Sequence, residues 1–275
     1  IHTASATLSP TRTPTPVLPK KTATATPTRT WTPVPRLSPE AALARIKELY
    51  VDGVPCALPC WWGITPGQTT WAQARQLLSE VSPEYGPYYS GILPRYDYSF
   101  EVPVNFEPLG YGFIEPSLYV RDEIVVAVGT STGWIHRDFD YSFANLLVLL
   151  GQPDEIWIKY SPTEADFQIE YSLTLFYQVR GILLRKSGEA KLRDNTLVIC
   201  PLKDQHGMFP LGITLYTPDI TDSYEHLREL LHGKYGPGED RYVRLSTITD
   251  GFGESEFYEL YKNENATECF AVFVK

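Results

Sequence analysis

The chain has 275 residues, of which 43% are hydrophobic, and its 33 acidic against 24 basic residues give a formal net charge of −9 at pH 7. A surface this acidic repels nucleic acid and anionic lipid, so neither is expected as a partner. No apolar run approaches the roughly 20 residues that a membrane-spanning helix needs.

Composition divides the chain near residue 37. The first 37 residues hold eleven threonines and seven prolines but no Asp or Glu. Proline removes a backbone donor and restricts the residue before it, and so little apolar surface cannot offset the entropy lost on ordering. We therefore expect a disordered, extended stalk over residues 1–37 and a globular domain over residues 38–275.

The stalk and the cysteines together predict a location. A Thr/Pro-rich stalk before a chain with four cysteines is typical of a protein that matures outside the cytoplasm, so we expect a secreted or cell-surface-anchored domain. Ile1 lacks the charged start and apolar stretch of a secretion signal. We expect that an upstream signal was removed, and a lipid-attachment site before residue 1 stays open. A membrane is expected as a partner only through such an anchor.

Two helices are predicted at the start of the globular part. Ser38-Pro39-Glu40 supplies an N-cap, a proline at the first helical position and an acidic first turn, which predicts a helix that ends near Gly53. Thr70 and Gln73 have the spacing of a capping box, which predicts a second helix over residues 71–81. Glycine and proline between these helices predict a tight turn.

The four cysteines predict two disulfides, because an even count in an exported chain is typically paired. We prefer the pairs Cys56–Cys60 and Cys200–Cys269, although four cysteines allow three connectivities. The histidines are scattered, and the two-residue spacing of a zinc knuckle is absent from the sequence. We therefore expect no metal site and no cofactor.

Tyrosines between positions 85 and 98 are interleaved with glycine and proline, which predicts a loop or an edge strand. Flat aromatic rings stack on the faces of sugars, and Tyr and Trp combine an apolar body with a polar tip. The candidate ligand-binding aromatics are Trp61, Trp62, Tyr88, Tyr89 and Tyr96. The alternative is that such rings complete a core under a long loop.

Strands and short helices make up the rest of the chain. Strand patterns occur at residues 117–121, 123–129, 155–160, 167–178, 181–186, 195–200, 212–216 and 269–274. Helical patterns occur at residues 142–150, 223–231 and 255–262. We predict an α+β fold in which antiparallel sheets are covered by four or five short helices.

The sequence also carries a faint internal echo. Gly63-Ile64-Thr65 and Gly212-Ile213-Thr214 each precede a predicted helix. Duplication would give two similar lobes, residues 38–150 and 151–275. Chance repetition of the same turn and helix chemistry is the alternative.

A resemblance to a known family rests on two short segments. Ile64-Thr65-Pro66-Gly67-Gln68-Thr69, which leads into an amphipathic helix, resembles the opening of outer-membrane lipoproteins of the BamE/SmpA type and the similar lobes of β-lactamase-inhibitory proteins. Leu150-Gly151-Gln152-Pro153 resembles the Gly-x-Pro element that follows the helix in that family. The resemblance implies a helical pair on a small antiparallel sheet. With its stalk and Pro59-Cys60-Trp61-Trp62-Gly63-Ile64, the chain also resembles exported bacterial lipoprotein-type domains.

One motif raises the question of catalysis. Residues 129–133, Gly-Thr-Ser-Thr-Gly, fit the elbow of serine hydrolases and make Ser131 a candidate nucleophile. The elbow needs a helix directly after its serine, whereas residues 134–138 intervene before the next helical pattern, and the sequence has no Gly-rich oxyanion segment upstream. We therefore assign no catalytic residue.

These observations predict a non-catalytic binding or scaffold module, secreted or at the cell surface and tethered by its stalk. Its expected partner is a protein or a glycan. Two alternatives stay open: an extracytoplasmic serine hydrolase that uses Ser131, and a structural subunit of an envelope assembly.

Overall fold

The computed structural model describes residues 35–50, 58–102, 112–132, 143–162, 168–193, 195–202, 211–233, 242–263 and 265–273. All of them belong to the packed unit Val34–Lys275. Within these residues, no helix is both long enough and apolar enough to cross a membrane.

Five α-helices and twelve strands follow one another along the described part of the chain. The helices are α1 (Pro39–Tyr50), α2 (Trp71–Ser79), α3 (Phe143–Leu150), α4 (Tyr224–His232) and α5 (Glu254–Tyr261). The strands are β1 (Glu84–Tyr88), β2 (Arg95–Tyr98), β3 (Phe100–Val102), β4 (Gly112–Arg121), β5 (Ile124–Thr132), β6 (Glu155–Pro162), β7 (Gln168–Tyr177), β8 (Ile182–Arg193), β9 (Thr196–Ile199), β10 (Leu211–Tyr216), β11 (Val243–Arg244) and β12 (Phe270–Phe273). The predicted α+β class with antiparallel strand pairing is confirmed.

A single sheet contains all of these strands, in the order β1-β2-β4-β5-β10-β8-β7-β6-β11, with β3 paired to β4 and with β9 joining β8 to β12. Strand β10 pairs with β5 on one side and with β8 on the other. Strands from before and after residue 150 therefore share one continuous sheet. The echo segments differ in structure, because Gly63 lies in a turn and Gly212 lies in β10.

One face of the sheet, here the covered face, packs against α1, α2, α3 and α5. Val128 of β5 lies opposite Leu215 of β10, and opposed residues of an antiparallel pair share a face. Val128 packs in a cluster with Trp71 of α2, whereas Leu215 packs in a cluster with Phe257 of α5. Each fully buried leucine or phenylalanine contributes about 1.5–3 kcal/mol, so these helices hold that face firmly.

The other face, here the open face, carries α4 as its one described α-helix. Ala127 of β5 and Tyr216 of β10 lie opposite each other and pack against Leu227 and Leu231 of α4. The ring of Phe176 stacks on Tyr216 with 5.7 Å between centroids. Helix α4 therefore covers part of this face and leaves neighbouring polar rows of the sheet uncovered.

Helix ends are fixed by local hydrogen bonds. The predicted capping box of α2 is present: Gln73 N donates to Thr70 Oγ1 at 3.3 Å, and Thr70 N donates to Gln73 Oε1 at 3.0 Å. At the C-terminal end of α4, Ile92 N and Leu93 N donate to Leu230 O at 3.0 and 3.2 Å. The loop between β1 and β2 thus holds the C-terminus of α4 in place.

The predicted disulfide Cys200–Cys269 is present, with an S–S distance of 2.04 Å. It joins the residue after β9 to the residue before β12, next to the point where these strands pair. Cys60 is also disulfide-bonded. Cys56, the partner predicted for it, lies outside the described residues.

Candidate functional site

A cavity of about 760 Å³ lies on the open face, beside α4. Its floor is formed by strand residues and its wall by α4. Its polar lining includes Arg95, Asp97, Ser117, Thr174, Arg185 and His232. Because they belong to β2, β4, β7, β8 and α4, only the folded sheet brings them together.

The alternation of side chains along the strands puts polar groups on this floor. Leu173 and Leu175 of β7 are buried in the core of the covered face, and Thr174 between them points to the cavity. In the same way Leu184 of β8 is buried, and Arg185 beside it lines the cavity. The residues that fill the core therefore also set which polar side chains face the cavity.

Arg95, Asp97 and Ser117 form a hydrogen-bonded network on the floor. Arg95 donates from Nε to Asp97 Oδ1 at 2.8 Å and from Nη2 to Oδ2 at 2.7 Å, and Ser117 Oγ donates to Asp97 Oδ1 at 2.6 Å. The hydrogen bonds to Asp97 raise the pKa of Arg95. A bidentate pair of this kind fixes both side chains and neutralises the Arg95 charge locally.

His232, the last residue of α4, lies at the wall of the cavity. Its ring meets the ring of Tyr119 edge-on, with 6.1 Å between centroids. Burial of the ring among protein atoms, followed by the positive charges of Arg185, Arg95 and Arg228, lowers the pKa of His232 to about 4, although part of the residue remains exposed. The imidazole is therefore neutral at pH 7.

Thr174 is the most enclosed polar residue of the floor, with 1% of its surface exposed. Within the described part of the chain, its Oγ1 has no hydrogen-bond partner. Thr174 lies directly opposite Arg185 on β8 and opposite Trp157 on β6. A buried hydroxyl without a partner costs about 1–3 kcal/mol, a cost that a hydrogen bond to a ligand would remove.

Tyrosines form one rim of the cavity. Tyr85 lies opposite Asp97 and Tyr88 lies opposite Arg95, so both stand on the open face, and their exposed fractions are 46% and 48%. Tyr89 follows β1 and is 71% exposed. Two of the predicted ligand-binding aromatics, Tyr88 and Tyr89, thus lie on the surface at or next to the cavity.

The other predicted aromatics pack against the core, where Trp62 is buried and Trp61 and Tyr96 are partly buried. Trp62 is 5% exposed and lies in the core beside α2, with the ring of Trp61 stacked on it at a centroid distance of 4.3 Å. Tyr96 points to the covered face and stacks on Trp71 at 4.1 Å. These three rings correspond to the alternative in which aromatic residues complete a core.

The candidate nucleophile lies in a strand. Ser131 is in β5, where its backbone pairs with Gly212 of β10 and with Glu115 of β4. The next helix, α3, begins at Phe143. A nucleophile elbow places its serine on a sharp turn between strand and helix, and the extended backbone here differs from that geometry. Among the described residues, no group of His, Cys, Asp and Glu has the arrangement of a metal site.

Sequence reasoning did not identify the polar floor. Arg95, Asp97, Thr174 and Arg185 belong to no motif, since their partners come from distant strands. One signal was available: a lone polar residue between two apolar ones, as in Leu173-Thr174-Leu175, is typical of a half-covered sheet face. The site then depends on which strands become neighbours.

Comparison of this chain with protein-family models, curated proteins and solved structures finds no match.

Proposed function

We propose that this protein is a non-catalytic extracytoplasmic binding module that holds a saccharide in the open-face cavity. One observation carries the proposal: a cavity of about 760 Å³ combines a polar, hydrogen-bonded floor with a rim of half-exposed tyrosines. Ligand pockets in proteins commonly span 300–1,000 Å³ and use a few convergent polar groups to fix orientation.

Sugars have the chemistry that suits both parts of the cavity. The C–H face of a pyranose ring packs on a flat aromatic ring, and Tyr85 and Tyr88 offer such rings on the open face. Sugar hydroxyls need both donors and acceptors, which Ser117 and Thr214 supply on the floor. A purely apolar ligand would cover the polar groups of the floor without forming hydrogen bonds to them, at a cost in binding free energy.

The covalent structure supports an extracytoplasmic location. The Cys200–Cys269 bond is of the kind that persists in oxidising compartments and is rare in the cytosol. A secreted or surface-anchored protein also meets glycans of the cell envelope or of other cells. The resemblance to exported lipoprotein-type domains agrees with this location and remains a proposal.

Geometry favours binding over hydrolysis. Asp97 of the floor already accepts hydrogen bonds from Arg95 and Ser117, so its carboxylate is engaged in structure. A serine hydrolase needs a serine, a base and oxyanion donors in one place. His136 and Asp138, the nearest candidates in sequence, lie outside the described residues. Labelling with a fluorophosphonate probe separates the two functions, since a binding module stays unlabelled at Ser131.

The test is a glycan array followed by calorimetry on the sugars that bind. Tyr88→Ala should weaken binding about 5- to 30-fold, which corresponds to the 1–2 kcal/mol expected for loss of one stacked ring. Phe273→Ala is the matched control, because Phe273 is 56% exposed on β12 and does not line the cavity. Equal affinity of Tyr88→Ala and the parent protein, or no binding to any sugar, would refute the proposal. Co-purification in a fixed stoichiometry without sugar binding would favour the envelope-subunit alternative.

A further inference from the structure

The open-face cavity is basic although the chain as a whole is acidic. Among the described lining residues, four are Lys or Arg and two are Asp or Glu, whereas the net charge of the chain is −9. The four basic residues are Arg95, Lys159, Arg185 and Arg228. A local excess of positive charge inside an acidic surface indicates a specific anionic group as the ligand.

Arg185 is the cation of the cavity that is best placed to meet a ligand. Arg95 is held by Asp97, whereas no carboxylate of the described residues forms an ion pair with Arg185. The Arg185 side chain passes over Gly212, where a Cβ would lie 3.5 Å from Nε. The guanidinium is exposed, so its N–H groups can reach an oxyanion in the cavity.

A second, independent observation lies next to it. Thr174 is directly opposite Arg185, is 1% exposed and has an Oγ1 without a hydrogen-bond partner among the described residues. An oxyanion held by Arg185 has further lone pairs, and the Thr174 hydroxyl can donate to one of them. Guanidinium and hydroxyl thus belong to opposed strand positions that line the same cavity.

We propose that the ligand is an acidic oligosaccharide whose carboxylate or sulfate group binds between Arg185 and Thr174 while a sugar ring stacks on Tyr88. This inference rests on the proposed saccharide-binding function and names its ligand class. It adds a charge requirement that the tyrosine rim alone does not impose.

The distance between the two ends of the cavity sets the size of the ligand. Tyr88 is on β1 and Arg185 is on β8, five strand positions away in the order β1-β2-β4-β5-β10-β8. At about 4.8 Å per strand, this separation is roughly 24 Å on a flat sheet. A single sugar cannot touch both ends, so the ligand is an oligosaccharide that lies across the strands.

The overall charge argues against a longer polyanion such as a nucleic acid. Every charged unit beyond the cavity would meet an acidic surface and be repelled. A short saccharide with one oxyanion at the Arg185 end avoids that repulsion. Asp97 repels anions within the cavity as well, so it disfavours a second anionic group near Arg95.

The experiment uses the full chain and matched saccharides that differ in charge alone. The probes are a neutral hexasaccharide, the same hexasaccharide with one terminal uronate or one terminal sulfate, a disaccharide with one terminal uronate and its neutral counterpart, and sialylated and desialylated glycans on one array. For each pair of saccharides in which binding is detected, we expect the acidic member to bind about 10- to 100-fold more tightly than the neutral member. We also expect the hexasaccharide to bind more tightly than the disaccharide. Arg185→Gln should remove this preference, and Arg180→Gln, an exposed arginine of the β7–β8 turn outside the cavity lining, should retain it.

The outcomes separate the inference from the function beneath it. Tyr88-dependent binding with equal affinity for acidic and neutral members would overturn the inference and leave the saccharide function standing. No binding to any member would overturn both. Preference for the sulfated over the carboxylated hexamer, or the reverse, identifies the oxyanion. A preference that survives Arg185→Gln would contradict the assigned site.

The substitution Thr174→Val distinguishes a role of Thr174 in binding from a purely structural role. It replaces the unpaired hydroxyl by a methyl group of similar size. We expect this variant to show a higher Tm without ligand and a reduced preference for the acidic saccharide. A lower Tm, or an unchanged preference, would count against the role of Thr174 in binding.

Discussion

Thr174 and Arg185 lie directly opposite each other on β7 and β8, one with a buried hydroxyl that has no partner among the described residues and the other with an exposed guanidinium that forms no ion pair there. Core packing does not require either group on this face. Both groups are explained if they lower the stability of the free protein and form hydrogen bonds to a ligand, since natural proteins often tolerate unsatisfied groups where a ligand binds.

Two buried threonines should respond to the same change with opposite sign. Thr174→Val removes a hydroxyl without a partner and should raise the free energy of unfolding by about 1 kcal/mol. Thr221→Val removes a hydroxyl that donates to Ser223 O at 2.8 Å and should lower the free energy of unfolding by about 1 kcal/mol. Urea unfolding of both variants measures the difference. If both variants are destabilised equally, the Thr174 hydroxyl forms a hydrogen bond in solution.

Asp97→Asn should change stability and binding in opposite directions. The substitution weakens the bidentate contact with Arg95 and should lower the free energy of unfolding by about 1 kcal/mol, since the pair is only partly buried. It also removes a negative charge from the cavity floor and should strengthen binding of acidic saccharides several-fold. Calorimetry and urea unfolding measure both effects. Glu259→Gln on α5 is the control, and its 62%-exposed side chain should change neither value appreciably.

Gly91→Ala should destabilise the contact between the β1–β2 loop and α4. A Cβ at this position would lie 2.5 Å from Leu230 O and 2.7 Å from Leu231 C, which forces the loop away from the helix. The expected loss in free energy of unfolding is about 1–3 kcal/mol. Gly129→Ala is the matched control, because its nearest contact would be Thr214 Oγ1 at 3.5 Å. Equal stability of the two variants would show that the loop does not dock on α4.

The pH dependence of stability should include a contribution from His232. Its pKa is lowered to about 4 in the folded state, chiefly by burial and then by the Arg185 charge, against about 6.5 in the unfolded chain. The unfolded state therefore takes up the proton first, and the contribution of His232 to stability is lost as pH falls from about 6.5 toward 4. Unfolding at pH 7, 6 and 5 should show a shallower decline for His232→Gln than for the parent. An equal decline in the two proteins would show that His232 does not contribute to the pH dependence.

Removal of the Cys200–Cys269 disulfide should lower stability strongly. The bond closes a loop with a sequence separation of 69. In the chain-entropy model, opening such a loop costs about 4 kcal/mol. The double variant Cys200→Ser/Cys269→Ser should show this loss in urea unfolding, and each single variant should show a similar loss plus a reactive thiol. If the double variant is as stable as the parent protein, the disulfide does not contribute to stability, and other contacts hold the fold.

The sequence predicted the local elements well because their signals are local. The Thr70–Gln73 capping box begins α2, and the apolar residues that repeat along β7 and β8 mark strands with a buried face. Short strands without such a signal were not predicted. Val243–Arg244 has only two residues, and it is a strand because it pairs with β6.

The candidate site could be predicted only in part, since it depends on long-range pairing. The exposure of Tyr88 follows from its place on an edge strand, whereas Trp62 and Tyr96 look alike in sequence but point into the core. Arg185 meets the cavity because β8 pairs with β10. Alternation tells which residues share a face of one strand but not which strands lie side by side.

The position of β10 has a consequence for incomplete chains. This strand follows β8 in sequence yet separates it from β5, so β5 and the 182–186 part of β8 lack the partner they share until residues 211–216 are in place. A fragment that stops before residue 211 would present two ribbons of unpaired N–H and C=O groups, which are templates for self-association. Proteolytic nicking or premature termination upstream of β10 would thus favour aggregates over a smaller soluble domain.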